Sequence, residues 1–328
     1  MVVLIVLGIE STAHTLGIGI CRNKEILSNE MDTYKPKNEG IIPRKAADHH
    51  SEVFLKILNQ ALCKAGVKIE DVDLISFAQG PGIGAPLKVG VIGAKYLALK
   101  YSKKIIGVNH PYAHIKISEL YSKIEKPLIL YISGGNTQIL IEKKPFEFQI
   151  LGETFDIGVG NLFDNFARKL GIEYASGAEI ERLAKTGRYI EFPYTVKGMN
   201  LTFSGLLTYA ENLIGKESKE DLCYSLMETA FSELCEATER ALYLTKRKGI
   251  IVCGGVAQNK RIQQMLKTMC DEDGIEFGVA PDEFNRDNGA MIAYAGYLMH
   301  KQFGDRKVEV LDADQNYRIE QIKEKMKN

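Results

Sequence analysis

The stretch PLILYISGGNTQILIEKKPFEFQIL, residues 127–151, holds three apolar runs, at 128–133, 137–142 and 147–151, divided by a Ser-Gly-Gly-Asn turn and a Lys-Lys-Pro turn. Short apolar runs bounded by turn residues predict a three-stranded antiparallel meander. The chain begins with the same pattern, strands over 2–9, 16–21 and 25–30. After that first meander, apolar residues at helical spacing (Val53, Leu55, Ile57, Leu58, Leu62) predict a helix over 46–65, followed by strand 73–78, helix 87–100 and strand 104–108. After the second meander come helices over 162–170, 179–185 and 219–246, then strand 249–253, helix 259–270, strand 275–279 and helix 288–302. Val2 and Asp73 are 71 residues apart, Leu128 and Gly249 121, so the second copy carries an insertion of about fifty residues. The expectation is an α/β fold of two related lobes facing each other across a cleft: residues 1–115, residues 116–304 with a helical insertion near 186–218, and a charged tail over 305–328.

The bulk properties narrow the function. The chain has 328 residues and 45% apolar content, enough for two cores. Lys and Arg number 42, as do Asp and Glu, so a nucleic acid must be held by a local basic surface, and DNA is not an expected partner. Six cysteines without a C-x-x-C pair favour reduced, packed thiols in a cytoplasmic protein over a disulfide frame or zinc knuckle. The uncharged stretches at 74–87 and 127–141 are shorter than the roughly 18 apolar residues of a membrane span, so no membrane partner is expected.

Three turns are rich in small residues. Ser133-Gly134-Gly135-Asn136-Thr137 suits an anion approaching backbone N–H groups, and equally suits an ordinary hairpin. Its counterpart in the first copy is Glu10-Ser11-Thr12-Ala13. Two facing turns of this kind in a duplicated fold point to a nucleotide phosphate chain. The third turn, Gly254–Asn259, precedes a helix, where Asn259 either caps the helix or touches a ligand. Asp164 and Glu181 lie near helix starts, within the reach of ribose hydroxyls or of N-terminal amides. Gly80, Gly82 and Ala85 match a dinucleotide fingerprint, but the next strand ends Val108-Asn109-His110 without the acid that a ribose needs. No Walker A sequence occurs.

His110-Pro111-Tyr112-Ala113-His114 places two imidazoles four residues apart, with Pro111 suited to a first helical turn. A helix offers one ion two nitrogens at this spacing. Pro stands where a metallopeptidase carries its Glu base, so peptide hydrolysis is disfavoured. Asp287 is a candidate further ligand and equally a candidate N-cap, while Tyr131 can supply a phenolic oxygen. Mixed nitrogen and oxygen donors fit Fe or Zn better than Mg.

These blocks, with 8–14, 43–50, 152–164, 193–199, 203–206 and 287–290, resemble the tRNA threonylcarbamoyladenosine-forming transferases, in particular the archaeal and eukaryotic catalytic subunit of the KEOPS assembly. The likeness runs from about residue 8 to 294. It implies an actin-like (ASKHA, duplicated ribonuclease-H-like) fold and transfer of threonylcarbamoyl from threonylcarbamoyl-adenylate to N6 of adenosine 37 in tRNAs reading codons that begin with A. It implies one divalent metal, Fe2+ favoured and Zn2+ the alternative, on His110, His114, Tyr131 and Asp287. The adenylate falls to Tyr131, Ile132, Ser133, Gly134, Gly135, Asp164, Gly177, Glu181 and Asn259. Asn200 stands where relatives commonly carry an acid. Many archaeal relatives carry a fused kinase, so a separate kinase subunit and small KEOPS subunits are the expected partners.

Glu10 is the candidate for handling the proton or orienting the adenine amine, against the ordinary role of hydrogen bonding to its own turn. Lys35, Lys37, Arg44, Lys45, Lys246, Arg247 and Lys248 are candidates for tRNA recruitment. Two rivals stand beside this reading: an actin-like ATPase or phosphotransferase, for which the histidine pair is superfluous, and a nucleotide-binding scaffold indifferent to His110.

Overall fold

A computed structural model describes residues 3–36, 40–173 and 175–327. The chain clusters into two units. The first runs to Pro36, resumes over Gly40–Ile117 and takes up the chain again from Arg286; the second is Ser118–Asn285.

In the first unit, β1 (Ile5–Glu10), β2 (Thr15–Arg22) and β3 (Glu25–Thr33) form the expected meander. Helix α1 (Pro43–Ala65) starts on a proline and stops at Gly66, whose φ of 64 is the left-handed conformation glycine adopts freely. Then follow β4 (Leu74–Gly80), α2 (Gly84–Lys100), β5 (Lys104–Asn109) and α3 (His110–Ser122). β1, β4 and β5 are parallel, and the sheet order is β3-β2-β1-β4-β5.

The second unit repeats this plan. β6 (Leu128–Ile132), β7 (Thr137–Lys144) and β8 (Glu147–Glu153) are the meander quoted above. Helices α4 (Val159–Lys169), α5 (Gly177–Ala184), α6 (Ser204–Asn212) and α7 (Lys219–Thr245) precede β9 (Gly249–Cys253), α8 (Lys260–Glu272), β10 (Glu276–Val279) and the short α9 (Asp282–Asn285). The order β10-β9-β6-β7-β8 is that of the first sheet, strand for strand. Residues such as Leu130, Ile139, Phe166, Phe231 and Ile250 fill the second core.

Helix α10 (Gly289–Phe303), read from sequence as part of the second lobe, belongs to the first unit. The reason is a glycine stripe. Gly8 pairs with Gly19 and Glu10 with Gly17, and a Cβ on Gly8 or Gly19 would collide with the backbone of Ala293 or Ala290. Without side chains on that face, the helix backbone sits directly on the sheet. The charged tail also packs: Leu311, Tyr317, Ile319 and Ile322 are buried, and Ile322–Lys325 forms α11. Of the cysteines, Cys21, Cys223, Cys253 and Cys270 are buried as expected, whereas Cys63 is exposed. Among the described residues, no helix is long and apolar enough to cross a membrane.

Candidate metal centre and phosphate turns

In the first unit, β5 passes without a loop into α3, so His110 is the first residue of the helix and His114 lies one turn on. The two rings meet edge to face with centroids 4.7 Å apart. Asp287 is not the cap of α10. That role is filled by Asn288, which accepts from Met291 N at 2.9 Å, and Asp287 turns instead to the histidines. Its Oδ1 lies 3.2 Å from His114 Nε2 and 3.5 Å from His110 Nε2. Among the described residues, this is the one group of His, Cys, Asp and Glu whose ligand atoms all fall within 4.8 Å of one another.

Glu10 reaches the site from the end of β1. Its Oε2 accepts from His110 Nδ1 at 2.8 Å, and its Oε1 accepts from the backbone N–H of Thr12 at 2.6 Å and from the Thr12 hydroxyl. Hydrogen bonding to its own turn is therefore realised, and the link to His110 is what sequence reasoning missed. A carboxylate on Nδ1 fixes the imidazole tautomer and directs Nε2 toward a ligand.

The charges interlock. Burial alone would lower the His110 imidazolium, but Glu10 and Asp287 outweigh burial and raise it to about 10. Burial, with the His110 charge, lowers His114. Asp287 is held well below the usual carboxylate range, because hydrogen bonds and charge from the two histidines overcome the opposing effect of burial. Two imidazoles whose Nε2 atoms share one carboxylate oxygen, one of them backed by a second carboxylate, are a donor set suited to Fe2+ or Zn2+.

In the second unit, the Ser133–Asn136 turn is braced by the start of α4. Gly160 N donates to Ser133 O at 3.2 Å and Asn161 N to Gly134 O at 2.9 Å. Gly158 and Gly160 permit this approach, since a Cβ on either would come within 2.7 Å of Gly134. Gly134 and Gly135 are exposed; a Cβ on Gly135 would meet nothing within 4 Å, and one on Gly134 would touch Asn161 Oδ1 at 3.6 Å. Tyr131 and Ile132 are buried on β6, and Gly254, at φ 95, packs against both: a Cβ there would meet Ile132 O and come 3.2 Å from the Tyr131 ring. Asn259 takes the capping role, its Oδ1 accepting from Arg261 N and Ile262 N at the head of α8. Asp164 accepts from Gly177 N at 3.0 Å, fastening α4 to the start of α5, and Glu181 stands half-buried on α5. Asn200 Oδ1 accepts from Glu153 N.

Of the basic candidates, Lys35, Arg44, Lys45, Lys246 and Lys248 are exposed, while Lys37 lies outside the described residues. Arg247 serves the fold, because its guanidinium donates to the carbonyls of Lys126 and Glu142.

A duplicated five-stranded sheet of this order, with a histidine pair opening the helix after the fifth strand, defines an actin-like α/β enzyme. The family model for tRNA N6-adenosine threonylcarbamoyltransferase (TsaD) matches residues 25–294, and the chain belongs to that family. The tRNA N6-adenosine threonylcarbamoyltransferase of Thermococcus kodakarensis is 48% identical over 322 residues, which is 97% of this chain and 98% of that protein. A probable bifunctional tRNA threonylcarbamoyladenosine biosynthesis protein of Methanocaldococcus jannaschii is 46% identical over 97% of this chain, which spans 60% of it. Among solved structures, T. kodakarensis HypF aligns over 90% of this chain and 48% of its own with a TM-score of 0.65 at 14% identity. Component A of Acidaminococcus fermentans (R)-2-hydroxyglutaryl-CoA dehydratase aligns over 91% and 99% with a TM-score of 0.56 at 15% identity. At such identities these two neighbours speak to fold alone.

Proposed function

We propose that this chain transfers the threonylcarbamoyl group of threonylcarbamoyl-adenylate to N6 of adenosine 37 in tRNAs reading codons that begin with A, as the catalytic subunit of a KEOPS-type assembly. Family membership, with 98% of the T. kodakarensis transferase covered, supports the reaction. The observation that carries the mechanism is the convergence of His110, His114 and Asp287. The amine lone pair attacks the carbamoyl carbon, the bond from that carbon to the phosphate oxygen breaks, AMP departs with the electron pair and the nitrogen gives up a proton. No covalent enzyme intermediate is needed.

His110, His114 and Asp287 would hold the metal, iron in preference to zinc, and a bound cation supplies Lewis-acid charge where negative charge grows on the donor. Glu10 keeps the Nδ1 proton of His110 in place, so it acts as a positioning residue in this reading; both its oxygens are engaged within its own unit. The Ser133–Asn136 turn, with its two exposed glycines, offers backbone N–H groups to the adenylate phosphate. Asp164 on α4, Gly177 and Glu181 on α5 and Asn259, the cap of α8, are the residues proposed to hold the nucleoside. A kinase activity is proposed to work alongside this chain in the assembly; the M. jannaschii relative, of which this chain spans 60%, carries the name bifunctional. Lys35, Arg44 and Lys45 are the exposed cations proposed to meet tRNA.

Reconstitution with candidate partner subunits, unmodified tRNA and synthetic threonylcarbamoyl-adenylate, followed by nucleoside mass spectrometry, tests the proposal. Modified adenosine that appears with the wild-type chain and disappears with His110→Ala supports it. No modified adenosine under any divalent metal refutes it.

A further inference from the structure

The segment after α10 plays no part in the reading above, yet it holds some of the most buried side chains of the first unit. Arg306 N donates to Ile105 O at 2.9 Å, which starts the segment alongside β5. It then crosses to the far ends of the parallel strands. Asp314 N donates to Gln79 O at 2.8 Å, and the Gln79 side chain donates back to Asp312 O at 3.0 Å. Gly80 has a φ of 149, and a Cβ on it would collide with the Asp314 carbonyl, so strand end and segment are in backbone contact. Lys325 pairs with Asp314, and Tyr317 is fully buried between these attachments.

At the centre of the strap, the Tyr317 carbonyl accepts from Asn109 Nδ2 at 2.8 Å. Asn109 is the last residue of β5 and has no exposed surface. Its Oδ1 accepts from the backbone N–H of Tyr112 at 3.1 Å, in the first turn of α3. One buried amide thus clips the C-terminal segment to the helix start that begins with His110. A neutral amide can satisfy a donor and an acceptor together without adding charge beside Glu10, His110 and Asp287. Losing it strands a buried N–H and a buried C=O.

We infer that Asn109 is a positioning residue for the metal centre: through its side chain the C-terminal segment sets the start of α3 and hence the direction of His110. This rests on the reading of His110, His114 and Asp287 as ligands. Asn109→Ser keeps an oxygen for the Tyr112 N–H but is too short to reach Tyr317, whereas Asn109→Ala removes both bonds. The full-length chain is titrated with Co2+, following the visible spectrum and the affinity in competition with a chelator. Amide exchange over 110–114 and thermal unfolding of the metal-free chain are recorded in parallel.

The expected result is one Co2+ bound by wild type and none by His110→Ala. Asn109→Ser should bind roughly tenfold more weakly or worse, with altered band intensities and faster exchange over 110–114. Asn109→Ser with the wild-type spectrum and affinity overturns the inference, whether or not Asn109→Ala folds. Equal Co2+ binding by wild type and His110→Ala fails the metal reading itself and takes this inference with it.

Discussion

Glu10 Oε2 lies 2.8 Å from Nδ1 of His110, a residue one hundred positions later in the chain. The end of β1 thereby sets the chemistry of the first residue of α3. The contact leaves Nε2 as the ring's ligand atom and places a negative charge behind the imidazole, strengthening it as a donor.

Glu10→Gln retains the size and removes the charge. Zn2+ or Co2+ affinity should fall about 10- to 100-fold, measured by chelator competition, and the unfolding midpoint of the metal-free chain should fall too, because the buried His110 imidazolium loses an ion-pair partner. Glu10→Ala should do more damage to folding, because the buried N–H of Thr12 also loses its acceptor. An unaltered metal affinity in Glu10→Gln would mean that the His110 tautomer is set by another group.

The proton held between Glu10, His110 and Asp287 makes metal binding depend on pH. The His110 imidazolium is raised to about 10, above its ordinary 6.5, so its ion pairs stabilise the metal-free fold fully below about 6.5 and are lost as pH rises through 10. A metal must displace that proton, whereas Asp287 has none to lose and His114 is already neutral. Affinity for Co2+ should therefore rise about tenfold per pH unit between pH 6.5 and 8.5, with one proton released per ion, read from calorimetric heats in buffers of different ionisation enthalpy. A flat profile would show that His110 is neutral in the metal-free protein.

Much of this was legible because it is periodic or local. The alternation of short apolar runs in 128–151 announces the meander, its recurrence announces the duplication, and an i, i+4 histidine pair behind a strand needs no tertiary information. What could not be read depends on contacts far apart in sequence. Asp287 and Asn288 are adjacent polar residues before a helix, and backbone geometry decides that Asn288 caps while Asp287 faces the histidines. Helix α10 follows β10 in the chain but packs on glycines of β1 and β2. The bracing of Gly134 by Gly158 and Gly160 carries no signal beyond the glycines themselves.

Gly254 and Gly255 are neighbours with opposite tolerance. A Cβ on Gly254 meets the Ile132 carbonyl, and its φ of 95 disfavours any other residue; Gly255 has nothing within 4 Å. Gly254→Ala should cost at least the roughly 1–3 kcal/mol of a strained backbone and lower the unfolding midpoint by several degrees. Gly255→Ala should leave it nearly unchanged. Similar midpoints for the two variants in thermal denaturation would contradict the packing described for β6 and β9.

Asp156, which lies before the helical insertion expected near 186–218, caps the α6 helix found within it. Its carboxylate accepts from Phe203 N and Ser204 N, each at 2.9 Å, and from the Ser204 hydroxyl at 2.6 Å. Burial pushes its pKa up, but the Ser204 hydroxyl and the Ser204, Phe203 and Ile157 amides outweigh burial and lower it from 3.8 to about 2. A depressed carboxylate stabilises the fold above its unfolded pKa, and the contribution is lost as pH falls through its folded value, so the window runs from 3.8 down to about 2. Asp156→Ala should destabilise by roughly 1–2 kcal/mol at neutral pH, the range for a lost helix cap, with the difference from wild type shrinking across that acid window. Urea unfolding of both proteins at pH 7, 4 and 2.5 measures this, and a constant difference across the series would show that the carboxylate's charge contributes nothing to holding α6.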